Sequence, residues 1–233
     1  MKSMKNNLGI YKALVIYTYL LVIIAILLYK FPGLIQYNVK HMENNKALSH
    51  ENYISGGYLS DTTKFSIDDM YFPVAVDGNI DEKLYYYDTY GGERTYGGER
   101  THEGCDIMTK NNVRGELPIV SVCDGIVEKI GWLELGGYRL GIRDKSGVYY
   151  YYAHLYRYED GITEGMTVYA GQVIGYIGDT GYSKVEGTTG NFDVHLHFGI
   201  YLTDSKGTEY TVNPYFMLKK LEKSVINYSF KNQ

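Results

Sequence analysis

The chain has 233 residues and a net charge of −4 at pH 7, which is enough length for one good-sized domain and an appendage. Four of its 23 basic residues precede residue 31. The remainder therefore carries 19 basic and 27 acidic side chains, and it lacks the basic footprint of a nucleic-acid-binding protein. Its two cysteines, Cys105 and Cys123, are too few for a disulfide scaffold, and we predict two buried thiols.

The N-terminal region contains an uncharged apolar run over residues 13–29. Extended to residues 10–31, the run spans about 30 Å as a helix, enough to cross the cytoplasmic membrane. No small-residue cleavage site follows it, which favours a retained signal-anchor over a cleaved signal peptide. Three lysines before the run predict a cytoplasmic N-terminus. We therefore expect residues 1–30 to form a cytoplasmic tip and anchor of a single-pass cell-membrane protein, with the rest extracytoplasmic.

Residues 31–69 are polar and lack a sustained period, which predicts a linker or stalk. From residue 70 the chain alternates short apolar runs with turn signals, and abundant Gly and Tyr favour an all-β domain. The runs predict strands at 71–76, 118–123, 125–133, 138–143, 148–155 and, as a pair, within 165–178. We expect this domain to cover residues 70–222 and a tail to cover 223–233.

Two local features complete this domain. The hexapeptide Tyr-Gly-Gly-Glu-Arg-Thr occurs at 90–95 and again at 96–101, and its glycines predict a flexible loop. Asn213 and Pro214 are typical of a helix start, with Asn as the cap. The short C-terminal helix that follows is expected to turn four side chains toward the domain: Phe216, Met217, Leu218 and Leu221.

Residues 193–202 alternate strictly between apolar and other side chains, which predicts a strand with one buried face. The opposite face carries His195 and His197. Two further histidines lie in predicted β context. His154 follows a run of four tyrosines and is expected to share a face with Tyr150 and Tyr152.

The fourth histidine, His102, precedes Asp106 by four residues. In a fully extended strand the two side chains would be too far apart to share one ion, so we expect Gly104 to permit a bend. Cys105 should then point away, into the core. Two histidines and one carboxylate with open coordination positions suit a catalytic zinc ion, although the spacing alone does not assign each histidine. The chain has no His-Glu-x-x-His helix, which excludes a thermolysin-like site.

Three motifs carry a family resemblance: His-x-x-x-Asp at 102–106, Tyr-x-His-Leu at 152–155 and His-x-His-Phe at 195–198. Over residues 71–221 the chain resembles the lysostaphin-type zinc endopeptidases of family M23, which cut peptidoglycan peptides. Gly-Asp-Thr-Gly at 178–181 also fits this family. One departure is the stretch 182–194, which separates that motif from the last one and is expected to reshape one wall of the groove.

The resemblance implies an all-β barrel-sandwich hybrid whose antiparallel sheets form a groove. It also implies one zinc ion per chain, bound by His102, Asp106 and His197, with His154 and His195 as catalytic residues beside the metal-bound water. We take His195 as the general base and His154 as the group that stabilises the tetrahedral intermediate, and these two roles are exchangeable. Asp193 is a candidate for orienting a histidine.

These expectations predict a membrane-anchored zinc endopeptidase that acts on peptidoglycan. One alternative is a non-catalytic relative that serves as a scaffold or activator in cell-wall or spore assembly. The intact set of five candidate residues argues against it. A second alternative is a cytoplasmic carrier domain, because the turns within residues 165–175 resemble those of lipoyl and sugar-permease carrier domains. That alternative requires no metal.

Overall fold

The computed structural model describes residues 67–228. The predicted membrane segment at 10–31, most of the predicted linker and the last five residues lie outside this range. Within residues 67–228, no helix combines the length and the apolar character needed to cross a membrane.

The described chain is almost entirely β-structure, as the composition predicts. It has two short helices, α1 (Ile80–Lys83) and α2 (Tyr215–Leu221), and a 3₁₀ turn at Glu222–Ser224. The thirteen strands are, in order, β1 (Leu84–Tyr85), β2 (Glu93–Arg94), β3 (Arg100–Thr101), β4 (Cys105–Thr109), β5 (Pro118–Val120), β6 (Gly125–Leu133), β7 (Gly137–Arg143), β8 (Tyr149–Leu155), β9 (Arg157–Tyr158), β10 (Thr167–Val168), β11 (Val173–Tyr176), β12 (His195–Thr203) and β13 (Glu209–Val212).

An antiparallel eight-stranded sheet dominates the architecture, in the order β1-β4-β12-β8-β7-β6-β10, with β13 also paired to β12. A three-stranded sheet, β5-β11-β9, and the β2-β3 hairpin complete the fold. One hydrophobic core joins the inner face of the large sheet to β5 and β11. The core leaves the opposite face of β4, β12 and β8 available for polar side chains.

Strand β12 has the alternation that the sequence predicts. Its apolar face is buried in the core through Val194 (just before the strand), Leu196, Phe198, Ile200 and Leu202. Phe198 packs edge-on against Tyr152 of β8, with ring centroids 5.3 Å apart. Because side chains alternate along a strand, burial of this face fixes His195 and His197 on the other one.

Three local expectations are wrong in detail. Residues 71–76 form isolated bridges, such as Val74 with Ile119, instead of a strand. The repeated hexapeptide forms an ordered hairpin, because Glu93 pairs with Thr101 and Arg94 with Arg100. Phe216 is 49% exposed, since it lies on the outer side of a helix that buries Met217, Leu218 and Leu221.

The helix start and the cysteines agree with the sequence patterns. Asn213 Oδ1 accepts a hydrogen bond of 2.9 Å from the backbone N–H of Tyr215, which opens α2 as a capping asparagine does. Cys105 and Cys123 are both buried and unbridged. In the described part of the predicted tail, Asn227 forms a parallel bridge with Val76.

Candidate metal centre

The register between β12 and β4 places His197 directly opposite Asp106. His102 lies just before β4, where the chain leaves the β3 hairpin strand. Its Nε2 atom is 2.9 Å from His197 Nδ1 and 3.0 Å from Asp106 Oδ1, and His197 Nδ1 is 3.0 Å from the same oxygen. The three residues that the family resemblance implies as zinc ligands therefore meet at one point.

The donor set fits a zinc ion. Two imidazole nitrogens and one carboxylate oxygen are characteristic of catalytic zinc sites, and ligand bonds of about 2.0–2.1 Å in a tetrahedron correspond to ligand–ligand separations of about 3.3 Å. The three atoms lie close to that spacing, and their side chains form a group that could hold a metal ion. His102, Asp106 and His197 would hold the ion and leave a further position for water or substrate.

Neighbouring groups fix the orientation of the candidate ligands. His102 Nδ1 is 2.9 Å from the carbonyl oxygen of Thr89, which can only accept, so Nδ1 carries the proton and Nε2 presents its lone pair to the centre. Arg94 Nη2 donates to Asp106 Oδ2 at 2.6 Å. This ion pair occupies the second carboxylate oxygen and leaves Oδ1 for the metal. The sequence motifs did not identify Arg94. Arg100 occupies the equivalent position in the second copy of the hexapeptide, so the local sequence does not distinguish the two arginines.

Gly104 is needed because the backbone at this position passes close to neighbouring groups. An unusual backbone angle is not the reason. Its φ angle lies outside the left-handed region, so the bend expected between His102 and Asp106 does not depend on a left-handed glycine. A Cβ atom at this position would lie 2.6 Å from the Phe198 carbonyl oxygen and 2.7 Å from the ring of His197. The absence of a side chain lets the loop before β4 pass directly over the candidate ligand His197.

His154 and His195 lie beside this centre, with their rings 4.7 Å apart. His154 Nδ1 is 2.8 Å from the Thr180 carbonyl oxygen, and His195 Nδ1 is 2.7 Å from that of Asp193. Because carbonyl oxygens accept only, both Nδ1 atoms carry protons and both Nε2 atoms are available as proton acceptors. His195 Nε2 is 3.9 Å from Asp106 Oδ1.

The position of His154 differs from the expectation. Tyr150 and Tyr152 face the core, whereas His154 faces the metal centre, so the three do not share a face. The φ angle of His154 is +65°, in the left-handed region that non-glycine residues rarely adopt. This angle breaks the alternation of β8 and turns the imidazole to the other side. Such local strain is frequent at functional sites.

The electrostatics of the centre favour neutral imidazoles and a charged carboxylate. Burial lowers the pKa of His154, and the neighbouring His195 and His197 lower it further. Burial also lowers the pKa of His195, although the Asp106 carboxylate opposes this effect. For Asp106 itself, burial raises the pKa, but the adjacent imidazoles of His102 and His197 outweigh burial and hold the pKa well below its usual range.

The stretch 182–194 forms one wall of the site. Phe192 packs its ring 4.6 Å from that of His154 and 5.1 Å from that of His195. Tyr182 stacks on Tyr96 of the hairpin, with ring centroids 4.3 Å apart and planes nearly parallel. The hairpin and this stretch therefore meet beside the two histidines. No motif identified Phe192 or Tyr182, and only their place in the stretch by which this chain departs from the family pattern pointed to them.

Two acidic residues near this wall have structural contacts. Asp179 is buried, accepts a 2.8 Å hydrogen bond from the backbone of Gly190 and pairs with Arg114, which anchors the stretch. The carboxylate of Asp193 accepts from Asn112 at 3.2 Å. Asp193 therefore orients His195 through its backbone carbonyl, whereas the sequence suggested its side chain.

Comparisons with known proteins agree with this geometry. The pattern of peptidase family M23 matches residues 100–214. The chain is 44% identical to the L-Ala--D-Glu endopeptidase of Bacillus subtilis (strain 168) over 138 residues, which are 59% of this chain and 40% of the relative. It is 35% identical to the glycyl-glycine endopeptidase ALE-1 of Staphylococcus capitis over 83 residues, which are 35% of this chain and 20% of that protein.

A solved structure gives the same assignment. A protein of Ruminococcus gnavus ATCC 29149 that carries the designation glycyl-glycine endopeptidase LytM superposes with a TM-score of 0.61 and 47% sequence identity. The match covers 68% of this chain and 63% of that one, so the chain spans less than two thirds of each of the three relatives. With its His-x-x-x-Asp and His-x-His motifs joined at one candidate metal centre, residues 100–214 form a domain of the lysostaphin-type peptidase family M23.

Proposed function

We propose that the protein is a zinc metalloendopeptidase that hydrolyses peptide bonds in peptidoglycan. The observation that carries this proposal is the convergence of His102, Asp106 and His197 to within 3.0 Å of one another beside two further imidazoles. A structural role alone does not require five such groups, each with a defined hydrogen-bond partner. The endopeptidase names of the M23 relatives support the same reaction class.

The chemistry divides between the ion and the protein. Zinc, when bound, acts as a Lewis acid and lowers the pKa of coordinated water to about 7. His195 is placed to accept a proton at Nε2, because its Nδ1 is already committed to the Asp193 carbonyl. His154 is oriented in the same manner by Thr180, so its Nε2 is also placed to accept a proton. Once protonated, His154 could hydrogen-bond the developing negative charge or pass the proton to the leaving amine. Phe192 shields both rings from water on one side.

The names of the relatives offer two candidate linkages, L-Ala–D-Glu and glycyl–glycine. The experiment that tests the function uses the full chain, purified in detergent and loaded with zinc, on purified peptidoglycan. We expect soluble fragments whose masses and new amino termini identify the bond that is cut. Intact peptidoglycan after digestion by fully zinc-loaded protein would favour the alternative of a non-catalytic scaffold or activator.

We further propose that residues 10–31 anchor the protein in the cytoplasmic membrane and that the peptidase domain is extracytoplasmic. The support is the apolar run with lysines before it. Protease added to intact protoplasts should then remove the domain, whereas a cytoplasmic protein used as a marker should survive. Protection of the domain would place it inside the cell. The carrier-domain alternative is not retained, because residues 165–175 lie inside the segment that matches the peptidase family.

A further inference from the structure

Three tyrosines extend the face of the sheet that carries the metal centre. Tyr151 packs its ring 5.9 Å from that of the ligand His197, Tyr201 lies 6.1 Å from Tyr151, and Tyr149 lies 5.8 Å from Tyr201. All three are half-buried. We call Tyr149, Tyr151 and Tyr201 the tyrosine floor. It extends from the candidate metal centre along β8 and β12 and is a surface over which a peptide can lie.

The rings of Tyr149 and Tyr151 lean toward β7, where two glycines leave space for them. Tyr149 lies across Gly141, and the Tyr151 hydroxyl approaches Gly136, so that neither glycine has room for a Cβ atom. Gly141 pairs with Tyr151 across the β7–β8 ladder, which places it on the metal-bearing face. Arg139 lies two residues before Gly141 and therefore belongs to the same face, while Leu140 between them is buried in the core.

Arg139 differs from the other five arginines of the chain. Those five all have polar partners: Arg94 with Asp106, Arg100 with Tyr182, Arg114 with Asp179, Arg143 with Glu128 and Glu209, and Arg157 with the Tyr158 carbonyl. Within residues 67–228, Arg139 Nη1 is buried and has no hydrogen-bond partner. Its positive charge also acts on the hydroxyls of Tyr149, Tyr151 and the neighbouring Tyr158, where it opposes the rise in their pKa that burial causes.

Partial burial of a guanidinium without hydrogen-bond partners destabilises the folded protein, unless a bound anion supplies those partners. Its planar fork matches a carboxylate with two parallel hydrogen bonds, and neighbouring tyrosine hydroxyls can add a third. Strand β8 lies between β12 and β7, so the backbones of His197 and Arg139 are two strand spacings apart, or about 10 Å. That is the length of about three residues of extended peptide.

We propose that Arg139 and the tyrosine floor form a subsite for a substrate carboxylate that lies within about three residues of the scissile bond. This inference rests on the proposed peptidase function and deepens it. A glutamate-containing stem peptide presents such a carboxylate, whereas a glycyl–glycine bridge has no side-chain carboxylate. Arg139 therefore selects the acidic L-Ala–D-Glu class over the glycine-bridge class.

The test compares two peptides that contain L-Ala–D-Glu and differ in one group, the free glutamate carboxylate or its carboxamide. For the zinc-loaded full chain we expect kcat/KM to be about 10- to 100-fold higher for the carboxylate peptide, the usual range for a charge-assisted hydrogen bond. In Arg139→Gln, turnover of the carboxylate peptide should fall by that factor while turnover of the carboxamide peptide is retained. Arg139→Lys should recover part of the preference.

The matched control is Arg157→Gln, which removes an arginine that stacks on Tyr176 away from the floor and should keep the wild-type preference. Turnover of the carboxamide peptide reports in the same samples that each variant is folded. Equal rates for the two peptides in the wild type, or an unchanged preference in Arg139→Gln, would overturn the subsite while leaving the peptidase function intact.

If the zinc-loaded wild type cleaves neither peptide, this L-Ala–D-Glu activity fails, and binding measured by calorimetry decides the subsite. Binding of the carboxylate peptide that Arg139→Gln weakens at least tenfold supports the subsite, and no binding or equal binding refutes it.

Discussion

His102 Nε2 and His197 Nδ1 lie 2.9 Å apart although 95 residues separate them in the sequence. Strand β12 makes this contact possible, because it pairs with β4 on one side and β8 on the other. The central position of β12 in the sheet places both of its histidines among groups from three other parts of the chain. Substitution of single groups in this cluster can therefore separate metal binding from proton transfer.

The metal assignment is tested by His102→Ala. Removal of one of three protein ligands should abolish stoichiometric zinc binding, because the two remaining ligands bind zinc weakly. Metal content after dialysis against a low concentration of chelator measures the effect. A variant that retains one zinc per chain would show that His102 is not a ligand. His154 or His195 would then be the candidate for the third ligand.

The roles of the remaining histidines are tested by His154→Ala and His195→Ala. Both variants should keep zinc, because their ring nitrogens are not part of the ligand set, and both should lose about 10²- to 10⁴-fold in turnover. His197→Ala is the contrast, since it should lose metal and turnover together. If His195→Ala released zinc and His197→Ala kept it, the two roles on β12 would be reversed.

The pH dependence follows from the burial of both imidazoles. A proton acceptor must be neutral, and burial lowers the pKa of His154 and of His195. Activity should therefore be constant near neutral pH and fall on acidification with a midpoint below the ordinary imidazole pKa of about 6.5. Zinc content must be followed across the same series, because protonation of ligands also releases metal. A midpoint above 6.5 at full zinc occupancy would contradict the assignment.

Gly104→Ala tests the close passage of the chain over His197. A methyl group would lie 2.7 Å from the imidazole and must displace it or the loop. We expect zinc affinity to fall, by an amount comparable to the 10- to 100-fold typical of mutations in groups that support metal ligands. Competition with a fluorescent zinc chelator measures the affinity. Unchanged affinity would mean that the loop adjusts without moving His197.

The cysteines provide a test that is independent of activity. Burial, together with nearby carboxylates, raises the pKa of Cys105 to about 12, so the thiol is unreactive in the folded protein. Denatured, unreduced protein should show two free thiols per chain, whereas native protein should react slowly. One disulfide in place of the two thiols would contradict the unbridged arrangement of Cys105 on β4 and Cys123 in the turn between β5 and β6.

Local patterns in the amino-acid sequence determine much of this protein. Alternation along residues 193–202 is a property of neighbouring side chains, so it predicts both the buried face of β12 and the position of its two histidines. Turn residues likewise place most strand boundaries within a few residues of those observed. The assignment of His102, Asp106 and His197 as ligands came from the family resemblance, and the observed geometry is compatible with it.

The tertiary structure alone decided the rest. The positive φ of His154 turns its ring to the metal-bearing face, and no local pattern encodes this, because surrounding contacts must hold a strained residue in place. The same is true of Arg94, whose equivalent in the second hexapeptide, Arg100, contacts Tyr182 instead. Strand register, which depends on burial of whole faces, determines which arginine meets Asp106 and leaves Arg139 Nη1 without a partner among the described residues.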